Sequence, residues 1–275
     1  MRLNNTIIDL SKPRVMTIIN ITPDSFYDGS RCFTEEQIEQ KVLAALDEGA
    51  DMFDVGGYSS RPNANDVAID EEIRRIARAM KVIRRVAPST AVSIDSFRAE
   101  VIRRTVEEFG DCIVNDISAG ELDPTMVETV AELRLPYVAM HMRGTPTTMQ
   151  KMTSYSDVVE DVRKYFLRKI EQLREAGIED IVVDAGFGFA KSLDQNYELI
   201  RGLHRLTDLG VPLLVGISRK SMIYQLLGCT PDKALNGTTA LHMEALRQGA
   251  KILRVHDTRE AKEVITIFNK LNKTE

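Results

Sequence analysis

Short runs of β-branched and other apolar residues recur along the chain, and an amphipathic stretch follows each of them. The runs that we predict to be strands are Val15–Asn20, Met52–Val55, Ala91–Asp95, Ile113–Asp116, Tyr137–Met140, Ile181–Asp184, Leu213–Ile217 and Ile252–Val255. Regular alternation of strands and helices predicts a parallel sheet covered by helices. Eight repeats without a linker-like break favour one (β/α)8 barrel over an open, doubly wound sheet.

Length and composition agree with one barrel and exclude several other classes of protein. The chain has 275 residues, of which 43% are hydrophobic and 28% charged, and it contains no low-complexity tract. This composition excludes a disordered or collagen-like chain. We therefore predict a single α/β domain over residues 1–275, a (β/α)8 TIM barrel whose active site lies at the C-terminal ends of the strands.

Charge, cysteines and hydropathy limit the expected partners and location. With 36 Lys and Arg against 41 Asp and Glu, the net charge is −5, so we expect neither nucleic acid nor a membrane as a partner. Cys32, Cys112 and Cys229 form no CxxC pair and are odd in number, which favours a reducing cytosol. The segment from Met1 to Arg14 lacks an apolar core, and no run approaches the ~18 apolar residues of a membrane span. We expect an unprocessed cytoplasmic protein.

Helix signals lie between the predicted strands. Thr34 and Gln37 form a capping-box pattern, and Gly49 stands where that helix should end. Between the last two strands, Ser221–Leu227 and Asn236–Arg247 both have helical patterns, so we expect one extra helix there.

Most of the predicted strands end in polar residues, which a core of Val and Ile does not need. These residues are Asn20, Asp54, Asp95, Asn115, Asp116, His141, Asp184, Ser218, Arg219, Lys220, Arg254 and His256. Any one of them could be a helix cap; Asp95 with Ser96 could cap a helix that starts near Arg98. So many at one end of a barrel instead predict a binding site.

The polar residues divide into two chemical groups. Asp95, Asn115 and Asp184 offer carboxylate and amide groups that suit a flat, amidine-like heterocycle, and Lys220 could donate to an acceptor on its rim. A second group, Arg61, Arg254 and His256, could hold a phosphate or pyrophosphate together with Asn20 and a divalent cation. The HExxH, GxSxG, P-loop and GxGxxG motifs are absent. The sequence therefore gives no indication of zinc hydrolysis, acyl transfer through a serine nucleophile or P-loop phosphoryl transfer.

Two long polar segments follow the first two strands. They run from Asn20 to Cys32 and from Gly56 to Asp66, and both contain Gly and Pro. Gly and Pro could reflect turn geometry alone, but long loops at this end of a barrel often act as substrate clamps.

With these motifs in order along nearly the whole chain, the sequence resembles the dihydropteroate synthase family. The residues that carry the resemblance are Asn20-Ile21-Thr22-Pro23-Asp24-Ser25-Phe26, Gly56-Gly57, Ser59-Ser60-Arg61-Pro62, Ser93-Ile94-Asp95-Ser96, Asn115-Asp116, Met140-His141-Met142, Asp184, Gly186-Phe187-Gly188-Phe189, Ser218-Arg219-Lys220-Ser221 and Arg254-Val255-His256-Asp257. The resemblance implies an enzyme of folate biosynthesis, a sulfonamide target, that joins 6-hydroxymethyl-7,8-dihydropterin pyrophosphate to p-aminobenzoate with help from Mg²⁺. It also implies a homodimer.

The resemblance assigns roles to individual residues of this chain. The pterin would contact Asp95, Asn115, Asp184, Lys220 and Arg254. The pyrophosphate would contact Asn20, Ser60, Arg61, Arg254 and His256, and Asn20 would also meet the Mg²⁺ ion. The p-aminobenzoate would lie beside Ser60, Phe189 and Ser221. Of these residues, Asn20, Lys220, Arg254 and His256 would carry the catalysis.

Four positions depart from the family pattern, and two rival functions remain open. Tyr58 stands where Glu is usual, Ser60 where Thr is usual, Asn63 where Gly is usual, and Ala185 replaces a common Pro. The three on the second loop put loop closure and p-aminobenzoate affinity in doubt. The rivals are a pterin-dependent methyltransferase, which would have no pyrophosphate to hold, and a paralogue that binds pterin without turnover.

Overall fold

The order of strands and helices follows the alternation seen in the sequence. The computed structural model describes residues 1–3, 6–22, 34–59 and 66–272. The strands of the barrel are β3 (Arg14–Asn20), β4 (Met52–Gly56), β5 (Ala91–Asp95), β6 (Ile113–Asp116), β7 (Tyr137–Met140), β8 (Ile181–Asp184), β9 (Leu213–Val215) and β10 (Ile252–Val255). The helices are α1 (Glu35–Asp47), α2 (Ile69–Val86), α3 (Ala99–Phe109), α4 (Met126–Glu132), α5 (Val158–Glu175), α6 (Leu193–Arg201), α7 (Ser221–Leu226), α8 (Leu235–Arg247) and α9 (Thr258–Leu271).

Neighbouring strands pair in parallel, and β10 pairs with β3, so the sheet closes into a barrel. The predicted (β/α)8 barrel is confirmed. The predicted seventh strand was too long at its C-terminal end, because the structure ends it at Val215. Beyond this point the Lys220 N–H donates to the Ile217 carbonyl, and this turn leads the chain away from the sheet.

A short hairpin near the N-terminus closes the bottom of the barrel. Its strands are β1 (Arg2–Leu3) and β2 (Thr6–Ile7), which pair antiparallel. Leu3 is buried beneath the barrel, in one apolar cluster with Met16, Met52 and Ile252. Our sequence analysis missed this hairpin, because strands of two residues are too short to show a period of two.

Alternation along the strands decides which side chains enter the barrel. The bottom interior layer contains Met16, Met52, Ile113, Val138, Val182, Leu214 and Ile252. Two positions further along, the side chains point inward again. This next interior layer includes Ile18, Asp54, Asn115, Met140, Asp184, Gly216 and Arg254. The apolar layer therefore gives way to a mostly polar one at the mouth.

The helix signals in the sequence are confirmed where the structure describes them. Thr34 and Gln37 form the capping box, with both hydrogen bonds at 3.2 Å, and Gly49 follows α1 with a φ of +93°. Helices α7 and α8 both lie between β9 and β10, as expected. In the described ranges, none of the helices has the length and apolar character needed to cross a lipid bilayer.

Candidate active site

A cavity of about 470 Å³ opens at the C-terminal ends of the barrel strands. The predicted site residues that line it are Asn20, Asp95, Phe189, Lys220, Ser221, Arg254 and His256. Asn115, the penultimate residue of β6, and Asp184, the last residue of β8, are each 5% exposed and lie in the layer that forms the floor. Ser60 and Arg61 lie outside the described residues. The structure thus brings together all the predicted site residues that it describes.

An ionic network forms one side of the floor. The Arg254 guanidinium donates to Asp54 from Nε at 2.5 Å and to Asp95 from Nη2 at 2.6 Å. Asn115 donates to both carboxylate oxygens of Asp54 at 3.3 Å. Burial raises the pKa of Asp95 to about 7, opposed by Arg254 and assisted by the nearby charge of Asp54. Asp95 therefore lies between a fixed cation and the cavity, where it can accept hydrogen bonds from a ligand.

Asp184 and Lys220 form the other side of the floor. Asp184 uses Oδ1 to accept from the Gly186 N–H at 2.8 Å. Burial raises the pKa of Asp184, while the Lys220 charge acts in the opposite direction. Burial lowers the pKa of Lys220 to about 8, and Asp184 opposes that shift. Each group therefore favours the charged form of the other, and the pair offers an acceptor and a donor to a flat ligand.

The loops after β8 and β9 place Lys220 beside an aromatic wall. Lys220 Nζ donates to the Phe187 carbonyl at 2.6 Å and lies 4.7 Å from the centre of the Phe189 ring. Arg219 has a φ of +54° and forms a two-pronged ion pair with Asp257, with both contacts at 2.8 Å. The backbone is thereby fixed just before Lys220 and Ser221, which begin the wall of the cavity.

The predicted anion-binding residues lie on the side of the cavity formed by β3 and β10. His256 contacts the Ser218 hydroxyl through its backbone N–H at 3.1 Å and through Nδ1 at 3.2 Å. Asn20 ends β3, opposite Gly56 in register. A Cβ atom at Gly56 would lie 3.2 Å from Asn20 Oδ1, so glycine keeps the space beside this amide open. His256 and Asn20 are thus placed for an anion above the floor.

Tyr58, which departs from the family pattern, has a structural environment of its own. Its ring packs edge-on against Phe97 at 5.2 Å, and the Arg98 guanidinium lies 5.0 Å from its centre. Arg98 also forms ion pairs with Asp66 at 3.0 Å and with the buried Glu72 at 2.9 Å. Tyr58 lines the cavity, so this position contributes an aromatic ring to the mouth.

Two of the polar residues at strand ends do not face the cavity. Asp116 and His141 occupy the alternate, outward-facing positions of β6 and of the segment after β7. Asp116 accepts from the Tyr137 hydroxyl at 2.7 Å, and His141 packs edge-on against Tyr165 at 4.9 Å. These two polar strand ends, to which no site role was assigned, therefore lie outside the mouth. Alternation along the strands from Asn115 and Met140 would have indicated this from the sequence.

The alternative role of Asp95 as a helix cap is also wrong. Helix α3 begins at Ala99, and its first N–H donates to Asp123 at 2.8 Å. Ser96 accepts from the Arg98 N–H, whereas the Asp95 carboxylate is engaged by Arg254. Asp95 is thus free of backbone capping and belongs to the floor.

Two polar residues of this region were not assigned a role from the sequence. Asp54 is completely buried and is the main partner of Arg254. Its position two residues after Met52 could have indicated that its side chain points into the barrel. Lys191, 4% exposed, lies beneath the loop after β8 and contacts His141 Nδ1 at 3.1 Å. Burial lowers its pKa to about 7, opposed by the charge of Asp184. The sequence gives no indication that Lys191 is buried. It stands seven residues beyond the end of β8, where the alternation of the strand no longer applies.

The arrangement suits a reaction between bound small molecules. Carboxylates, an amide and two cations surround a cavity with an aromatic side, and such a floor can bind a flat ring through several paired hydrogen bonds. The described residues contain no cluster of three or more His, Cys, Asp or Glu that could hold a metal ion by themselves. Such a cavity can orient bound substrates and stabilise charge electrostatically.

Comparison with known proteins agrees with this architecture. The family described as "Pterin binding enzyme" matches residues 16–256. A dihydropteroate synthase of Haemophilus influenzae is 39% identical over 267 residues, which cover 96% of both chains.

Solved structures extend the similarity to the fold. A dihydropteroate synthase from Yersinia pestis, solved as a sulfonamide drug complex, superposes with a TM-score of 0.94 at 36% identity and covers 99% of both chains. A dihydropteroate synthase from Xanthomonas albilineans in complex with 7,8-dihydropteroate has a TM-score of 0.83 at 36% identity, with coverage of 96% of this chain and 95% of that one. The present chain belongs to the dihydropteroate synthase family of pterin-binding enzymes.

Proposed function

We propose that this chain condenses 6-hydroxymethyl-7,8-dihydropterin pyrophosphate with p-aminobenzoate to give 7,8-dihydropteroate and pyrophosphate. The observation that carries the proposal is the paired floor of the cavity, where Asp95 and Arg254 lie on one side and Asp184 and Lys220 on the other. The relative from Xanthomonas albilineans, whose structure contains 7,8-dihydropteroate, supports the same reaction.

The pterin ring matches the floor in its pattern of donors and acceptors. Its 2-amino group and adjacent ring N–H form an amidine-like edge, which a carboxylate can accept through two parallel hydrogen bonds. Asp184 has one oxygen engaged by Gly186 and lies beside the open surface at Gly216, so it is the first candidate for that edge. Lys220 would donate to an acceptor on the rim, while Asp95 and Asn115 would meet the remaining polar groups.

The reaction requires no covalent bond to the protein. The amine nitrogen of p-aminobenzoate forms a bond to the pterin methylene carbon, and the bond from that carbon to the pyrophosphate oxygen breaks with its electron pair. The new amine then releases one proton. The electron-rich ring can support positive charge at the methylene, so the protein's contribution is to orient the two substrates and stabilise the departing anion.

We assign the departing anion to the side of the cavity that carries Asn20 and His256, together with Ser60 and Arg61 of the second loop. Arg254 was predicted to meet both ring and anion. Its Nε and Nη2 atoms are engaged by Asp54 and Asp95 on the floor, which favours contact with the pterin. Any bond to the anion would use the remaining edge of the guanidinium.

The residues present fit Mg²⁺ as an ion that the substrate's pyrophosphate brings with it. Asn20 offers one neutral oxygen, and Mg²⁺ commonly binds through few protein ligands together with substrate phosphates and water. When bound, the ion would neutralise charge on the leaving pyrophosphate. Asn20 would orient the phosphates from the end of β3.

The p-aminobenzoate would lie beside the aromatic wall. Phe189 and Ser221 both line the cavity next to Lys220, so a benzene ring can pack against Phe189 with its amine directed toward the pterin methylene. The third predicted residue of this pocket, Ser60, lies on the second loop. Sulfonamides, which resemble p-aminobenzoate, would occupy the same place.

An assay with purified protein and both substrates tests the function. We expect pyrophosphate and dihydropteroate to form in equal amounts, with a rate that depends on Mg²⁺. A chain that binds pterin but releases no pyrophosphate would be the non-catalytic paralogue. A pterin-dependent methyltransferase would instead move a methyl group from a methylated folate to a corrinoid and leave the pyrophosphate ester intact.

We further propose that the enzyme works in the cytoplasm, which its unpaired cysteine pattern favours, and that it is a homodimer, on the basis of the resemblance to the family. Sedimentation equilibrium with the purified chain tests the oligomeric state, because a dimer would have twice the chain mass of 30.9 kDa. A single species at that chain mass would contradict the proposal.

A further inference from the structure

Lys191 lies between β8 and α6 and uses its amino group entirely inside the protein. Its Nζ atom is 3.1 Å from His141 Nδ1, 3.0 Å from the Gly186 carbonyl oxygen and 3.0 Å from the Phe189 carbonyl oxygen. An ammonium group has three N–H donors, so these acceptors match its full capacity. The charge of Asp184 acts on this amino group, but within the described residues no carboxylate is among its hydrogen-bond partners. Lys191 therefore binds two backbone carbonyls and an imidazole ring.

The three acceptors connect two parts of the chain. Gly186 and Phe189 belong to the loop that follows β8, and His141 follows β7. The loop is tightly turned, with φ values of +71° at Gly186, +80° at Gly188 and +51° at Ala190. A Cβ atom at Gly186 would overlap the carbonyl oxygen of His141, so loop and strand end lie in direct contact. Lys191 holds both ends of this turn against His141.

The same loop supplies the surroundings of Lys220. The Phe187 carbonyl, between the two carbonyls that Lys191 holds, accepts from Lys220 Nζ at 2.6 Å. The Phe189 ring lies 4.7 Å from that amino group. The Gly186 N–H donates to Asp184. A shift of the loop would therefore move partners of Asp184 and Lys220 together with the aromatic wall.

We propose that Lys191 is a positioning residue for the substrate site, because it ties the loop of residues 186–189 to His141 and thereby sets the positions of the Phe187 carbonyl and the Phe189 ring. This inference rests on the proposed function, since it assigns that loop to pterin and p-aminobenzoate binding. Lys191 itself is not among the residues that line the cavity, so it would act through the loop.

The charge of Lys191 decides the direction of its hydrogen bond to His141. When Lys191 is an ammonium it donates to Nδ1, and the proton of the neutral ring is then on Nε2. Burial lowers the pKa of His141 well below its ordinary value, and the positive charges of Lys191 and Arg143 act in the same direction. A neutral imidazole is thus the acceptor in this cluster.

The first test compares two Lys→Met variants of the full-length protein. Lys191→Met keeps the length of the side chain and removes its donors, whereas Lys164→Met makes the same change at a position that is 63% exposed on α5. We expect Lys191→Met to raise the calorimetric Kd for hydroxymethylpterin and the KM for p-aminobenzoate about tenfold each, and Lys164→Met to change neither. A melting temperature lowered by Lys191→Met with Kd and KM unchanged would reduce Lys191 to a structural residue and overturn the proposal.

A second pair of variants tests the contact between Lys191 and His141 even if Lys191→Met fails to fold. His141→Asn and His141→Leu introduce side chains of similar size, but only Asn offers an oxygen to Lys191. We expect His141→Asn to retain tighter pterin binding than His141→Leu at matched stability. Equal Kd values for the two would contradict the proposed tie.

These outcomes remain separate from a failure of the proposed function. Dihydropteroate formation by the unmodified protein tests the function, while the ratios between variants and unmodified protein test the role of Lys191. If the unmodified protein is active and the Lys191 and His141 variants have the same Kd and KM values, the positioning role is contradicted and the proposed function is not.

Discussion

Asp54 accepts a hydrogen bond from Nε of Arg254 at 2.5 Å, although the two residues are 200 positions apart in the chain. Each lies two positions beyond a residue of the bottom apolar layer, Met52 on β4 and Ile252 on β10. Strands β4 and β10 flank β3 on its two sides, so the pair forms across the interior of the barrel. This ion pair holds the guanidinium in place, and the same guanidinium donates a hydrogen bond to Asp95.

Replacement of Asp54 should weaken both the fold and the site. Asp54→Asn keeps the shape of the side chain but leaves the partly buried Arg254 charge with Asp95 as its remaining carboxylate partner. We expect the free energy of unfolding to fall by about 2–3 kcal/mol. Urea denaturation measures the loss. Glu132→Gln is the control, because its exposed ion pair with Arg103 should contribute at most about 1 kcal/mol. Equal effects of the two changes would contradict the importance of the buried pair.

Replacement of Asp184 should reduce pterin affinity. Asp184→Asn replaces a charged acceptor by an amide that presents donors to the donors of the ring, at a cost of about 2–5 kcal/mol in binding. Calorimetry with free hydroxymethylpterin measures this loss. Asp180→Asn is a matched control just before the other end of β8, where Asp180 contacts the N-terminal segment. Unchanged affinity in Asp184→Asn would remove this residue from the pterin site.

His256 should affect turnover more than binding of the free pterin. It lies beside Ser218 on the side of the cavity assigned to the anion, away from the paired floor. We expect His256→Ala to lower kcat by about 10–100-fold and to change the Kd for hydroxymethylpterin little, since that ligand carries no pyrophosphate. Steady-state kinetics and calorimetry together measure the two effects. A parallel collapse of pterin binding would show that ring and anion residues are not separated in this way.

The pH dependence of kcat/KM should reflect the two sides of the floor. Burial raises the pKa of Asp95 to about 7, so its carboxylate form, which accepts from the ring, is gained as the pH rises through about 7. Burial lowers the pKa of Lys220 to about 8, so its ammonium form is lost as the pH rises through about 8. We therefore expect a maximum of kcat/KM between these values.

Lys220→Arg tests the assignment of the alkaline limb. A guanidinium stays protonated beyond the measured range, so the variant should lose the fall near pH 8 even if its maximal rate is lower. A fall that stays at the same pH would assign that limb to another group.

Much of the fold could be predicted because its signals are local. The strand at Ala91–Asp95 and the capping box of Thr34 and Gln37 depend on residues close together in sequence, and both are present in the structure. The polar strand ends were visible for the same reason. The family resemblance then supplied roles for Asn20, Asp184 and His256, which the structure places at one mouth.

Other features could not be predicted because they depend on contacts made only after the sheet closes. The Arg254–Asp54 pair requires β10 to close on β3 and bring two distant strands to one interior layer. Lys191 is an ordinary lysine in sequence, and its burial follows from the tight turn that packs Gly186 on His141. Short-range patterns in the sequence thus determined the strands, the helices and the candidate site residues. Tertiary packing decided which charged residues meet, because the partners of each pair lie far apart in the chain.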